Sequence, residues 1–263
     1  MILDGTVLIS IPCSYYSESR FASPERGRPP PAQPDFRLTS RRLTQDKRTS
    51  APICDMKFWF IRHAESEANV QRIYANGDSP FALTARGLEH AKAVAGRFSS
   101  LDIRAVYTSP VLRAKQTADE ICKMSKIEMQ IAPELSEYSM GIYEGTSTLP
   151  STLGAIADAE SKSRWFKLND FDARTPGGES LNDMRRRFLP FIKKEIANHD
   201  GTPGIVLMIT HGGILSAMLP FVFKNLDFNF VQARSIEHLS IIKGELKNGQ
   251  PVCVEYDGIA VPS

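Results

Sequence analysis

Two histidines in this chain stand at the ends of apolar runs of strand length. Phe58-Trp59-Phe60-Ile61 leads into Arg62-His63, and Ile205-Val206-Leu207-Met208-Ile209-Thr210 leads into His211-Gly212-Gly213. Ligands of open α/β sheets bind at the carboxyl ends of strands, and a guanidinium grips a phosphate in bidentate fashion. The glycines after His211 open an apolar helical pattern, and a helix starting there aims backbone N–H groups at an anion. A second arginine, Arg113, falls in the first turn of a helix introduced by Ser109-Pro110, because proline suits the first helical position. A loop over residues 135–145 adds Glu137 and Glu144, with Glu134 just before it. Breaking a phosphate ester without a metal needs a nucleophile to hold the phosphoryl group, cations for its oxygens and an acid for the leaving oxygen. These residues supply all three.

The elements that must position them alternate as strand, helix, strand, helix from residue 56, which predicts an α/β fold: a three-layer α/β/α sandwich with a mostly parallel central sheet. Thr84 caps a helix with the apolar stripe Leu88, Ala91, Ala95 and Phe98. Residues 110–124 form the next helix, 127–131 a strand, and 181–198 a long helix after Gly177-Gly178-Glu179. Strands over 204–210, 238–243 and 251–256 complete the sheet. The segment of about 146–175, polar but carrying Trp165, Phe166 and Phe171, reads as a helical lid; these aromatic residues are more often lid packing than substrate readout, although they make the substrate-facing wall partly apolar.

In their order and spacing these segments resemble the histidine phosphatase superfamily, the phosphoglycerate-mutase-like enzymes, whose signature is Arg-His-Gly near the start of the domain. Leu83-Thr84-Ala85-Arg86-Gly87 is similar to the family's opening of its first helix, and Pro176-Gly177-Gly178-Glu179-Ser180 to the start of its penultimate long helix. The resemblance covers roughly residues 56 to 256. It departs at Ala64, where the family usually has glycine, and one added methyl implies a tuned pocket rather than a dead one.

The resemblance implies roles residue by residue. His63 is the nucleophile, Arg62 and Arg113 clamp phosphate oxygens, and Asn69 joins them, although an asparagine at a helix start is also a common cap. His211 faces His63 and donates to the phosphoryl oxygens, helped by the Gly212 amide. Glu137 is the acid, ahead of Glu134 and Glu144. A lone strand-end histidine is usually structural, so the weight rests on the ordered set; His90, His199 and His238 lack such a setting and read as structural or surface residues. The implied activity is a metal-independent phosphatase, with no cofactor, acting on a small phosphorylated metabolite. The competing readings are a cofactor-dependent phosphoglycerate mutase, whose extended basic segment is missing after the acid loop, and a non-catalytic phosphate-binding module, which would have lost a catalytic residue. A kinase-linked fructose-2,6-bisphosphatase lacks its G-x-x-x-x-G-K-[ST] loop here.

Composition agrees with a globular enzyme: 263 residues, 42% hydrophobic and 24% charged. Residues 1 to 55 hold eight Lys and Arg against six Asp and Glu, which accounts for the whole formal +2, so the remainder offers no basic field for nucleic acid. Seven of the seventeen prolines lie in those residues, with little periodicity, and they read as a disordered extension ahead of a domain over 56–263. Transit to an organelle is one use for such a segment, though its acidic residues argue against it. Four scattered cysteines read as free thiols of a cytoplasmic protein, and no apolar stretch is long enough for a membrane. The oligomeric state is open.

Overall fold

In a computed structural model of the chain, which describes residues 56–77 and 79–262, every residue of Ile205–Thr210 is buried. A strand can be buried throughout only when both its faces are covered. This strand, β4, lies third, between β2 and β1, in a seven-stranded sheet whose order is β3-β2-β4-β1-β5-β6-β7. The other strands are β1 (Lys57–Arg62), β2 (Ile103–Thr108), β3 (Met129–Ile131), β5 (Ile241–Lys247), β6 (Gln250–Tyr256) and β7 (Ile259–Ala260). The four strands from β3 to β1 run parallel, and β5, β6 and β7 are added antiparallel. The fold is α/β with a mixed sheet. Residues 1–55, read above as a disordered extension, and Cys13 and Cys54 with them, lie outside the described residues.

Alternation along β4 sends Ile205, Leu207 and Ile209 into one apolar layer and Val206 and Met208 into the other. The first layer is filled from α3 (Leu112–Ser125) by Ala114, Ala118 and Ile121, with α2 (Ala85–Ala95) beside it. The second is filled from α5 (Leu181–His199) by Met184, Phe188 and Ile192, and from α6 (Gly212–Val222) by Leu215 and Met218. The helix starts follow their caps. The Thr84 hydroxyl accepts from Gly87 N–H at 2.8 Å, and Ser180 exchanges hydrogen bonds with Asp183 in a capping box. Short helices α1 (Glu67–Gln71) and α7 (Phe228–Gln232), together with α4 (Leu153–Leu168), lie in the connections.

The strand expected over 238–243 begins only at Ile241. Leu239 has φ +64°, a left-handed conformation no strand contains, and Ser240 N–H closes a turn onto Glu237 O at 3.0 Å. The aromatic residues of the 146–175 segment take the packing role expected of them and add nothing to the substrate-facing wall. None of the three lines the pocket described below. Trp165 is fully buried and donates from Nε1 to Ala173 O at 2.6 Å, so the cluster is packing beneath α4. Among the described residues no helix is long and apolar enough to cross a membrane, and Cys122 and Cys253 are free and buried.

Candidate active site

Parallel register sets the two histidines side by side. Arg62 lies opposite Thr210 in the β1–β4 pair, and His63 N–H donates to Thr210 O at 3.0 Å, so the chain leaves both strands at one level. The imidazoles of His63 and His211 come to rest with centroids 5.0 Å apart.

His63 Nδ1 lies 2.7 Å from Ala64 O, a contact that assigns the proton to Nδ1 and leaves the lone pair on Nε2. Arg113 donates its Nε–H to that lone pair at 2.9 Å, with Nη1 to Ala75 O at 2.6 Å and Nη2 to His211 Nδ1 at 3.2 Å. A guanidinium only donates, so His211 accepts at Nδ1 and its Nε2–H donates to Ser109 Oγ at 2.7 Å. Burial pushes both imidazoles well below the usual histidine range, and the charges of Arg113 and Arg62 push the same way. Both are neutral at pH 7.

Arg62 donates from Nη1 to Ile236 O at 2.6 Å and from Nη2 to His238 Nε2 at 3.1 Å. Its Nε is buried and has no partner among the described residues, which leaves that N–H for a ligand oxygen. His238 is thus no bystander, contrary to the expectation from sequence. Its ring centroid is 5.9 Å from that of His63, and burial, reinforced by Arg62, holds it down at about 4, neutral and able to accept.

Glu137 sits where the start of α6 points. Its Oε2 accepts from Gly213 N–H at 2.8 Å and its Oε1 from Ile214 N–H at 2.6 Å and Tyr138 N–H at 3.1 Å. The helix start therefore does not offer all its N–H groups to a phosphate, as its glycines suggested; two are already taken by this carboxyl. Burial raises Glu137 above the usual carboxylate range, against the pull of those N–H groups and Arg113. The loop is braced from behind by Arg187, which donates to the carbonyls of Glu134 at 2.7 Å and Ser136 at 3.0 Å while paired with Glu179. Glu144 is turned elsewhere: its carboxylate accepts from Met140 N–H and from both nitrogens of Asn76.

Arg62, His63, Asn69, Arg113, Glu137 and Gly212 line one cavity of about 410 Å³. His211 is brought to Arg113 but does not line the cavity. Asn69 takes both of its sequence readings: Oδ1 accepts from Ser66 N–H at 3.0 Å and Ser66 Oγ–H at 2.8 Å, capping α1, while the residue faces the cavity. The Ala64 methyl packs with Leu83 and Ala91, and Ala64 N–H donates to Thr117 Oγ1 at 3.1 Å, so the departure from glycine leaves the cavity wall unaltered. Lys162 and Arg234 also line the cavity and were not singled out by sequence reasoning. Among the described residues no cluster of His, Cys, Asp or Glu is arranged to hold a metal ion.

Gly213 gives this arrangement a direct test. A Cβ there would lie 2.5 Å from Tyr138 Cε1 and 2.7 and 2.8 Å from the Glu137 oxygens. Gly213→Ala is expected to displace Glu137 and lower alkyl phosphate hydrolysis ~10-fold or more, with circular dichroism unchanged. Wild-type turnover in that variant would contradict the fit.

Comparison with known proteins identifies the family and the fold. The family model of the histidine phosphatase superfamily (branch 1) matches residues 58–257. A Schizosaccharomyces pombe protein named "Probable phosphatase C1620.13" is 32% identical over 192 residues, covering 72% of this chain and 64% of its own length. The adenosylcobalamin/alpha-ribazole phosphatase of Escherichia coli is 30% identical over 167 residues, 62% of this chain and 77% of that protein. The solved structure of Bacillus stearothermophilus YhfR shares the fold, with a TM-score of 0.64, 24% identity, and coverage of 77% of this chain and 96% of that one.

Proposed function

This chain belongs to the histidine phosphatase superfamily, and on that footing we propose that it hydrolyses a small phosphomonoester through a phosphohistidine on His63, without a metal. The observation that carries the reading is the assignment of His63: its Nδ1–H is held by Ala64 O, and its Nε2 lone pair faces the cavity-lining Arg113. A histidine kept neutral, with its free nitrogen beside a phosphate-gripping guanidinium, is set up to attack phosphorus.

A phosphoryl group taking the Nε–H of Arg62 and the Nε–H of Arg113 draws the latter off His63 and frees the lone pair. His63 Nε2 then bonds to phosphorus as the ester P–O bond breaks, and Glu137 gives its proton to the leaving oxygen. Water attacks the phosphohistidine next, Glu137 takes a proton from it, the P–N bond breaks and inorganic phosphate leaves. Gly212 and Asn69 lie on the cavity wall as further donors. His211 serves by holding Arg113; donating directly to a phosphoryl oxygen requires its Nδ1 to take up a proton where Arg113 now binds.

The acid assignment predicts an effect that depends on the leaving group. Glu137→Gln is expected to lose ~10²-fold on an alkyl phosphate and far less on nitrophenyl phosphate, whose phenolate leaves unaided. Equal losses on both would remove Glu137 from this role. The pH profile follows from the same two groups. His63 lies below its ordinary value, so kcat at saturating alkyl phosphate should not drop through pH 6.5 as acid is added; Glu137 lies above its own, and activity should fall as rising pH deprotonates it. An acid limb of kcat centred at 6.5 would show that the attacking histidine is an ordinary exposed one.

The reading as a whole is tested by assaying phosphate release from a panel of phosphorylated metabolites with EDTA present and no bisphosphoglycerate. Hydrolysis of at least one supports it. Interconversion of the two monophosphoglycerates faster than hydrolysis of either would make the protein a mutase.

A further inference from the structure

The cavity is larger than a phosphoryl group, and its lining besides the phosphate-binding residues bears on the rest of the substrate. Resting on the phosphatase reading above, we propose that the organic part of the substrate carries a second anionic group, bound by Lys162 of α4 and by Arg234, just beyond α7. Both side chains line the cavity that holds His63.

Three observations point there. First, the aromatic faces nearby are covered by cations. Lys162 Nζ lies 5.6 Å over the Tyr138 ring, and Arg234 Cζ lies 3.7 Å over the Phe230 ring. Tyr138 also packs edge to face on Trp165, at 5.8 Å. Of these two rings only Tyr138 lines the cavity, and Lys162 takes the place over it that a planar base would need. Second, the cavity-lining carboxylate paired with Lys162, Asp158, is already satisfied. It accepts from Tyr138 Oη–H at 2.8 Å, Tyr74 Oη–H at 3.2 Å and Lys162 Nζ–H at 2.8 Å, so a ligand that draws Lys162 away does not strand it. Third, the cations keep donors to spare. An ammonium has three N–H groups and Lys162 commits to one carboxylate oxygen; Arg234 donates from Nη1 to Phe230 O at 3.0 Å, leaving Nε and Nη2 without a partner among the described residues. Two cations stand against one fully occupied carboxylate.

These residues also supply basic groups that the acid loop lacks. They come from α4 and from the segment before β5, which are distant in sequence from that loop and from each other.

A matched pair of compounds tests the inference. 3-Phosphoglycerate and glycerol 3-phosphate differ by a carboxylate in place of a hydroxymethyl group. Wild type is expected to favour the former ~10-fold or more in kcat/KM, as a charge-assisted contact implies, and to use 5′-AMP poorly. Lys162→Met and Arg234→Gln should each shrink that ratio several-fold, whatever happens to their absolute rates. A ratio near one in wild type, a ratio unmoved in both variants, or a preference for 5′-AMP would overturn the inference. Binding read by calorimetry on His63→Ala separates this claim from the one beneath it. If 3-phosphoglycerate binds more tightly by a Lys162-dependent margin yet wild type hydrolyses nothing, the phosphatase reading fails and the second anionic group stands. If all three compounds are hydrolysed with equal efficiency and bind alike, the reading stands and the second group falls.

Discussion

Replacing His63 by alanine is expected to lower phosphate release at least ~10³-fold from every phosphomonoester, activated aryl phosphates included, because the covalent route disappears with the imidazole. The loss should be indifferent to the leaving group, unlike that of Glu137→Gln. The protein should stay folded, since β1 and its neighbours pack through Phe58, Phe60 and Ile61 rather than through His63. The check is steady-state turnover of an alkyl and an aryl phosphate beside a thermal melt. A folded variant retaining a tenth of wild-type rate would show that His63 is not the nucleophile.

The second large effect is expected at Arg113, where a lysine keeps the charge and loses the fork. The three donors of Arg113 span His63 Nε2, Ala75 O and His211 Nδ1, and no single ammonium can reach in those three fixed directions. Arg113→Lys is expected to cost ~10³-fold in kcat, the upper end of what losing an oriented donor to a developing charge removes. It should also weaken competitive inhibition by inorganic phosphate. Near-normal kinetics in that variant would mean that Arg113 only braces the histidines. Burial already pulls Arg113 down to about 10, so it remains charged at neutral pH and the effect should not vary between pH 5 and 8.

Much of the site is legible in sequence because it is built where strands end. Runs such as Ile205–Thr210 announce a buried strand by composition, and the residue after such a run stands at the sheet's carboxyl edge whatever the rest of the fold does. That reasoning reaches His63 and His211 without any tertiary information. It cannot reach His238, which lies in the turn ahead of a strand, β5, rather than after one. In a parallel sheet that would place it at the opposite edge. β5 pairs antiparallel with β1, Ile241 opposite Ile61, and so delivers the preceding residues to Arg62 and His63. Strand direction is a tertiary outcome that no local pattern of residues 236–247 declares.

The acids are hidden in another way. Glu134, Glu137 and Glu144 are chemically alike and close in sequence; what separates them is which backbone N–H groups each meets. Glu137 meets those of Gly213 and Ile214, while Glu144 is spent on Asn76 and Met140. Lys162 and Arg234 were missed because a cation on a polar helix or turn is usually a solvated one, and only the packing of α4 and of the segment after α7 against the cavity makes these two different. Trp165 shows the converse. A tryptophan in a polar segment reads as lid packing ahead of substrate wall, and packing is what it does: its indole is covered completely and its N–H is satisfied within the core.

The central claim is that phosphorus passes through His63. Rapid acid-free quench of the enzyme during turnover of a 32P-labelled substrate, followed by digestion and peptide mapping, tests it most directly. The label should appear on the peptide containing His63, stable in base and lost in acid, at a level that rises within the first turnover and decays when substrate is exhausted. An enzyme that hydrolyses the same substrate with no protein-bound label in the first turnover, or with label on another residue, would contradict the assignment.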